Sequence, residues 1–182
     1  MDDRQQLISW LNLFSLQKGE EFTLASGAKS DIYVNVKKTA LHGRVYKLLA
    51  KLLFDKMVEQ FAPFQAVAGV ALGGCHLASI VAMHSPIDLD VIHVRKAAKE
   101  HGTKELLERP SMTQYEEVVL VEDVVTTGGS SIAAAKAIED AGFEVKGILA
   151  VVDRRANKKP YLSAGLVDWK FASLVNFEEL EY

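Results

Sequence analysis

The sequence predicts an α/β fold in which a central parallel sheet is flanked by helices and capped by a small N-terminal hood. Two observations predict it. After Pro63, the short apolar runs "AVAGVAL", "DVIHV", "VVLVE" and "VKGILAVVD" alternate with segments of helical period, the pattern of strands covered on both faces. Before Pro63 that alternation is missing, and short β-prone runs flank a Ser-Gly turn in "FTLASGAKSDIYVNV", as expected of a hairpin lying over a sheet edge.

The elements follow in order. Leu7, Leu11 and Phe14, with Ile8 and Trp10, fall at helical spacing and predict an amphipathic helix that ends near "QKGEE". After the hood hairpin, "GRVYKLLAKLLFDKMVEQF" predicts a second helix with Val45, Leu48, Leu49, Leu52, Leu53 and Met57 on one face. Further helices are expected from about Gly74 to His84 and from about Ser130 to Ala141, with a polar stretch from Arg95 to about Glu117. With 182 residues, 49% apolar and 25% charged, the chain is expected to form a single domain over 1–182, with the hood built from about 1–40 and the C-terminal segment.

A net charge of -3 gives no overall attraction to nucleic acid or an anionic membrane, so an anionic ligand needs a local site. The single cysteine, Cys75, excludes an intrachain disulfide and a multi-cysteine zinc site, and is expected in the core. Acids at the N-terminus and the lack of a long apolar run argue against a signal peptide or a membrane span, and place the protein in the cytoplasm.

In parallel α/β sheets ligands bind beyond the C-terminal strand ends, so the loops there are the candidate sites. The most specific is "VVLVEDVVTTGGSS", residues 118–131. Gly128 and Gly129 let successive N–H groups converge, while Thr126, Thr127, Ser130 and the start of the next helix add donors suited to a phosphate. It is not a P-loop, since no G-x-x-x-x-G-K-[ST] occurs. Glu122 and Asp123 would repel that phosphate but suit neutral hydroxyls, so the loop fits a ligand with a phosphate at one end and a diol beside it. A ribose 5-phosphate has that shape.

Three more loops contribute. "VRKAAKEHGTKELLER" gathers Arg95, Lys96, Lys99, His101 and Lys104 around Gly102; it reads either as a solvated basic loop or as a flap closing on a polyanion. Asp153-Arg154-Arg155 ends the strand "GILAVVD", and by itself reads as a surface ion pair. "GVALGGCHLAS" places Gly73 and Gly74 for approach to a pyrophosphate or for close packing of a helix on the sheet.

The 118–131 stretch resembles the phosphoribosyl pyrophosphate (PRPP) signature of the type I phosphoribosyltransferases, and "RKAAKEHG" resembles the R-K-x-x-K-x-H-G loop of the orotate phosphoribosyltransferases within them. The hood is similar too, so the likeness covers roughly residues 20–155. It implies a type I phosphoribosyltransferase fold and transfer of phosphoribosyl from PRPP to orotate with Mg²⁺, giving orotidine 5-monophosphate and pyrophosphate in pyrimidine nucleotide synthesis. The implied PRPP contacts are Arg95, Lys96, Lys99, His101, Glu122, Asp123, Val124, Val125, Thr126, Thr127, Gly128, Gly129 and Ser130. Lys99, His101 and Asp123 are the implied catalytic residues, Thr126 and Arg154 the orotate contacts, and Mg²⁺ is held mainly by substrate oxygens rather than by the chain. The resemblance also implies a homodimer with shared active sites. Two departures remove a cation from the pocket, Ala25 before the hood Ser-Gly and Gly73 in the fourth loop, and His76 stands where proline is common. Two other readings stay open: the same fold acting on another nucleobase, and a PRPP-binding regulator without activity.

Overall fold

The computed structural model describes residues 1–23, 29–96, 106–111 and 117–180. A hood hairpin and a main sheet of seven strands organise them.

The first helix, α1, spans Asp3–Phe14 and begins with a reciprocal cap: the Gln5 backbone N–H donates to Asp2 Oδ1 at 2.7 Å, and the Asp2 N–H donates to Gln5 Oε1 at 3.3 Å. It stops three residues short of "QKGEE", because from Leu16 the chain pairs antiparallel with a second strand. That hairpin is β1 (Leu16–Thr23) and β2 (Lys29–Val34), the expected hood. A short helix that the sequence reading did not foresee, α2 (Val36–Ala40), links it to α3 (Gly43–Phe61). Val45, Leu49, Leu53 and Met57 are fully buried on one face of α3.

The alternation after Pro63 becomes β3 (Ala66–Val70), α4 (Gly73–His84), β4 (Asp90–Val94), β5 (Leu107–Glu108), β6 (Glu117–Val125), α5 (Gly129–Asp140) and β7 (Glu144–Asp153). Strands β8 (Tyr161–Ala164) and β9 (Val167–Asn176) complete the sheet. The order is β5-β4-β3-β6-β7-β9-β8, with β4, β3, β6, β7 and β9 parallel and an antiparallel strand at each edge. The C-terminal segment therefore divides. Val167–Asn176 belongs to the main sheet rather than to the hood, while the turn Phe177–Glu179 reaches α1 through Arg4, whose Nη2 lies 2.6 Å from Glu179 Oε2.

Alternate residues of the central strands face opposite ways. Val67, Val119, Val121 and Leu149 meet α1, α3 and α4; Ala68, Val118, Leu120 and Ile148 meet α5 with Trp169 and Phe171. This two-sided burial is the largest source of stability, at roughly 25 cal/mol per Å² of apolar surface removed from water. It also leaves the ends of β3, β6 and β7 as the place where polar loops gather.

Glycines set how closely α4 approaches the sheet. A Cβ on Gly69 would lie 2.2 Å from the Gly74 carbonyl oxygen, and one on Gly74 would lie 2.4 Å from that of Val121. Gly74 thus takes the close-packing role of the two left open by the sequence.

Candidate active site

The end of β6 and the start of α5 build the floor of a cleft of about 400 Å³. Gly128 caps α5 in the left-handed region, φ +82°, where a side chain would be strained and would also strike Leu162 at 2.8 Å. Its carbonyl accepts from the Ile132 N–H at 2.8 Å, which starts the helix and turns its N-terminus toward the cleft. Thr126, Thr127, Gly128, Gly129 and Ser130 all line the space. The expected cradle is assembled there, with one exception among its members. Val125 turns its side chain into the core, and its carbonyl accepts from the Arg154 N–H at 2.8 Å.

Glu122 and Asp123 both line the cleft but in different environments. Glu122 is only 5% exposed, and burial, followed by the adjacent Asp123 carboxylate, pushes its pKa up to about 9. It is therefore protonated at neutral pH, with the Ser130 hydroxyl 3.5 Å from Oε2. Asp123 stands nearer the solvent. Its Oδ1 accepts from the Val124 N–H at 2.8 Å, and its Oδ2 lies 3.1 Å from Lys37 Nζ of α2. Protonation of one acid and ion pairing of the other remove most of the repulsion an anionic ligand would meet.

Tyr33 and Val34 of β2 and Arg154 from the loop after β7 also line the cleft. The Arg154 Nη2 donates to the Ile32 carbonyl at 3.0 Å, and its guanidinium carbon sits 4.7 Å from the centre of the Phe177 ring, so it joins the hood to the cleft. The neighbouring pair is not the surface ion pair expected of Asp153-Arg154-Arg155. Asp153 is 2% exposed and Arg155 7%; Nε and Nη2 of Arg155 donate to the two carboxylate oxygens at 2.9 and 3.0 Å, and Nη1 and Nη2 also donate to the carbonyls of Tyr161 and Lys159. This network shapes the loop that presents Arg154. Removing one partner strands a buried charge, so Arg155→Ala is expected to destabilise the protein by about 3–5 kcal/mol in chemical denaturation.

Of the basic loop, Lys96 lines the cleft, whereas Arg95 Nη1 lies 3.2 Å from Glu108 Oε1 of β5. Lys99, His101, Gly102 and Lys104 lie outside the described residues, as does Ala25. On α4, Cys75 is half-buried rather than in the core; its Sγ donates to the Gly69 carbonyl at 3.4 Å, and burial raises its pKa, so it remains a thiol. His76 stacks on Tyr46 with ring centres 5.6 Å apart; among the described residues neither ring nitrogen has a hydrogen-bond partner, and burial outweighs the pull of Asp123 and lowers its pKa. It is a neutral packing residue. Three lining residues escaped the sequence reading, Lys37, Tyr33 and Val34. Lys37 sits in "VNVKKTAL", where two adjacent lysines gave no sign of which one turns inward.

A parallel sheet with a glycine- and hydroxyl-rich turn beside an acid pair at its strand ends has the architecture of α/β proteins that bind their ligands there. Residues 38–169 match the phosphoribosyl transferase domain family. A curated orotate phosphoribosyltransferase of Listeria innocua is 38% identical over 177 residues, 97% of this chain and 82% of that protein. One from Pyrococcus furiosus is 37% identical over 86% of this chain and 84% of its own length. Among solved structures, an orotate phosphoribosyltransferase of Mycobacterium tuberculosis in complex with PRPP superposes with a TM-score of 0.74 at 26% identity, covering 98% of each chain. The chain belongs to the phosphoribosyltransferase family, among its orotate phosphoribosyltransferases. It has the type I fold of these enzymes and is a pentosyltransferase. Among the described residues no helix is long and apolar enough to cross a membrane.

Proposed function

We propose that the protein transfers the 5-phosphoribosyl group of PRPP to N1 of orotate. The C1–pyrophosphate bond breaks, a C1–N1 bond forms, and orotidine 5-monophosphate and pyrophosphate leave. The observation that carries this is the convergence of the 126–130 cradle, the Glu122–Asp123 pair and Arg154 on one cleft.

Each group has a definite task in this reading. Backbone N–H groups and hydroxyls of Thr126 to Ser130 hold the 5-phosphate, with Val124 and Val125 carrying the chain past it. Protonated Glu122 and the Asp123 carboxylate hold the ribose 2- and 3-hydroxyls, and that grip orients C1 toward the base. Arg154, a planar fork, takes the orotate carboxylate, and Thr126 lies beside the base. Arg95, Lys96, Lys99 and His101 stabilise the charge growing on pyrophosphate, each charge-assisted bond contributing roughly 1.5–3 kcal/mol. The nucleophile arrives on the substrate, so no nucleophilic side chain is required.

Mg²⁺ fits a cleft in which the Asp123 carboxylate stands beside the place of a phosphorylated donor, and it would be held mainly by substrate oxygens. When bound it neutralises charge on the donor and its leaving group. We place the reaction in the cytoplasm, carried out by 1–182 as one domain that works as a homodimer with shared sites.

Incubated with PRPP, Mg²⁺ and orotate, the protein is expected to form orotidine 5-monophosphate, and Lys99→Ala to lower turnover about 10²–10³-fold with little change in PRPP affinity. PRPP binding without product would refute the reaction; a fully active Lys99→Ala would remove the basic loop from it.

A further inference from the structure

The hood helix α2 brings into the cleft a cation that neither the phosphate cradle nor the basic loop supplies. Lys37 Nζ lies 3.1 Å from Asp123 Oδ2, and Lys37 lines the same cleft as Glu122, Lys96 and Arg154. Its position is set by the fold. Val36, Thr39 and Ala40 are buried, and the Thr39 hydroxyl donates to the Trp10 carbonyl at 3.2 Å, so the helix is anchored on three residues while Lys38 stays in solvent.

Opposite Lys37, the bare backbone of Gly73 lets the carboxylate in. A Cβ there would lie 2.3 Å from Asp123 Cγ and Oδ2, so a side chain at 73 and this Asp123 position exclude each other. The Asp123 carboxylate is thus fixed on three sides, by the Val124 N–H, by Lys37 and by Gly73.

We propose that Lys37 is a positioning residue for the transfer reaction: its ammonium aims the Asp123 carboxylate into the cleft and offsets its charge, so that a donor bearing several phosphate charges can approach the acid pair. This rests on reading the cleft as the PRPP site. A half-buried pair is screened less by salt than a surface pair, so the offset persists at ordinary ionic strength. The groups facing this pair are Glu122 from β6, Tyr33 from β2, His76 from α4, and Lys96 and Arg154 on the cleft walls. Burial works most strongly against the charge of Lys37, yet the Asp123 carboxylate, with smaller contributions from Tyr33 and Glu122, holds its pKa above the usual lysine value. It is a cation throughout the working range.

The test compares Lys37→Met, Lys37→Gln and Lys37→Arg with wild type. The first two are expected to raise the KM for PRPP about tenfold and the KM for orotate less than about threefold, while Lys37→Arg stays within about threefold of wild type for both. A purely structural lysine would change melting temperature without this split and would not be rescued by arginine. An unchanged PRPP KM in Lys37→Gln overturns the proposal, as does an arginine variant as impaired as the glutamine one. Calorimetric titration of PRPP into wild type and Lys37→Gln separates this from the assigned reaction. If wild type binds PRPP without forming product, the reaction assignment fails, and the change in Kd still decides the role of Lys37.

Discussion

Glu122→Gln is expected to make the free protein more stable and the enzyme slower. Glu122 has a folded pKa of about 9 against an ordinary value of 4.5, so the folded state binds a proton that the unfolded state releases. A raised pKa of this kind leaves stability intact below about pH 4.5 and erodes it as pH climbs toward 9. Glutamine matches the protonated acid in shape and has no proton to lose. The variant should therefore equal wild type near pH 4 and exceed it by about 4–5 kcal/mol at pH 8 in urea unfolding. Its turnover should fall roughly 10–100-fold, because the amide nitrogen can only donate to the ribose hydroxyls, whereas the carboxyl O–H oxygen can donate or accept. Wild-type and variant stabilities that run parallel between pH 4 and pH 8 would show that Glu122 is ionised in the folded protein. A gap that opens between pH 4 and pH 8 would mark the acid pair as an active-site feature kept at a cost in stability, as strained or buried polar groups often are.

Arg154→Ala is expected to lower kcat/KM for orotate by about 10²–10³, since truncating one member of a hydrogen-bonded charge pair costs roughly 2–5 kcal/mol. PRPP affinity should change little, because in this reading the 5-phosphate is held by Thr126 to Ser130 and not by this side chain. Arg154→Lys should recover only a small part of the loss: an ammonium has the charge but not the fork that meets both carboxylate oxygens. The same side chain donates to the Ile32 carbonyl at 3.0 Å, so the alanine variant should also show faster hydrogen exchange in β2. Faster exchange in β2 with unchanged orotate kinetics would limit Arg154 to a structural task.

Much of this architecture was legible in the sequence. The apolar runs after Pro63 became β3, β4, β6 and β7 within a few residues, because strands buried on both faces need continuous apolar sequence. The cradle was legible because two glycines, two threonines and two acids in one turn exceed what capping requires. Other parts gave weaker signals. Helix α2 has only five residues, too few to display a period. Strand β9 buries Trp169 and Phe171 around exposed Lys170, a period-two alternation too short to stand out in a polar C-terminal stretch. The burial of Arg155 depends on Asp153 and on carbonyls four and six residues away, and side-chain chemistry alone does not distinguish that from an exposed pair.

The pairing of Lys37 with Asp123, 86 residues apart, arises only when hood and sheet come together. It also changes how the acid pair works. From sequence, Glu122 and Asp123 look like two equivalent carboxylates. In the fold they divide into a protonated member held by burial and a charged member held by a lysine.

Pyrophosphate release from PRPP with Mg²⁺, followed separately with orotate, uracil, hypoxanthine and adenine, decides which base the enzyme accepts. The cleft described here, with Arg154 facing the base, predicts release with orotate and none above background with the other three, which lack a carboxylate for that arginine. Release with a purine and none with orotate would contradict it.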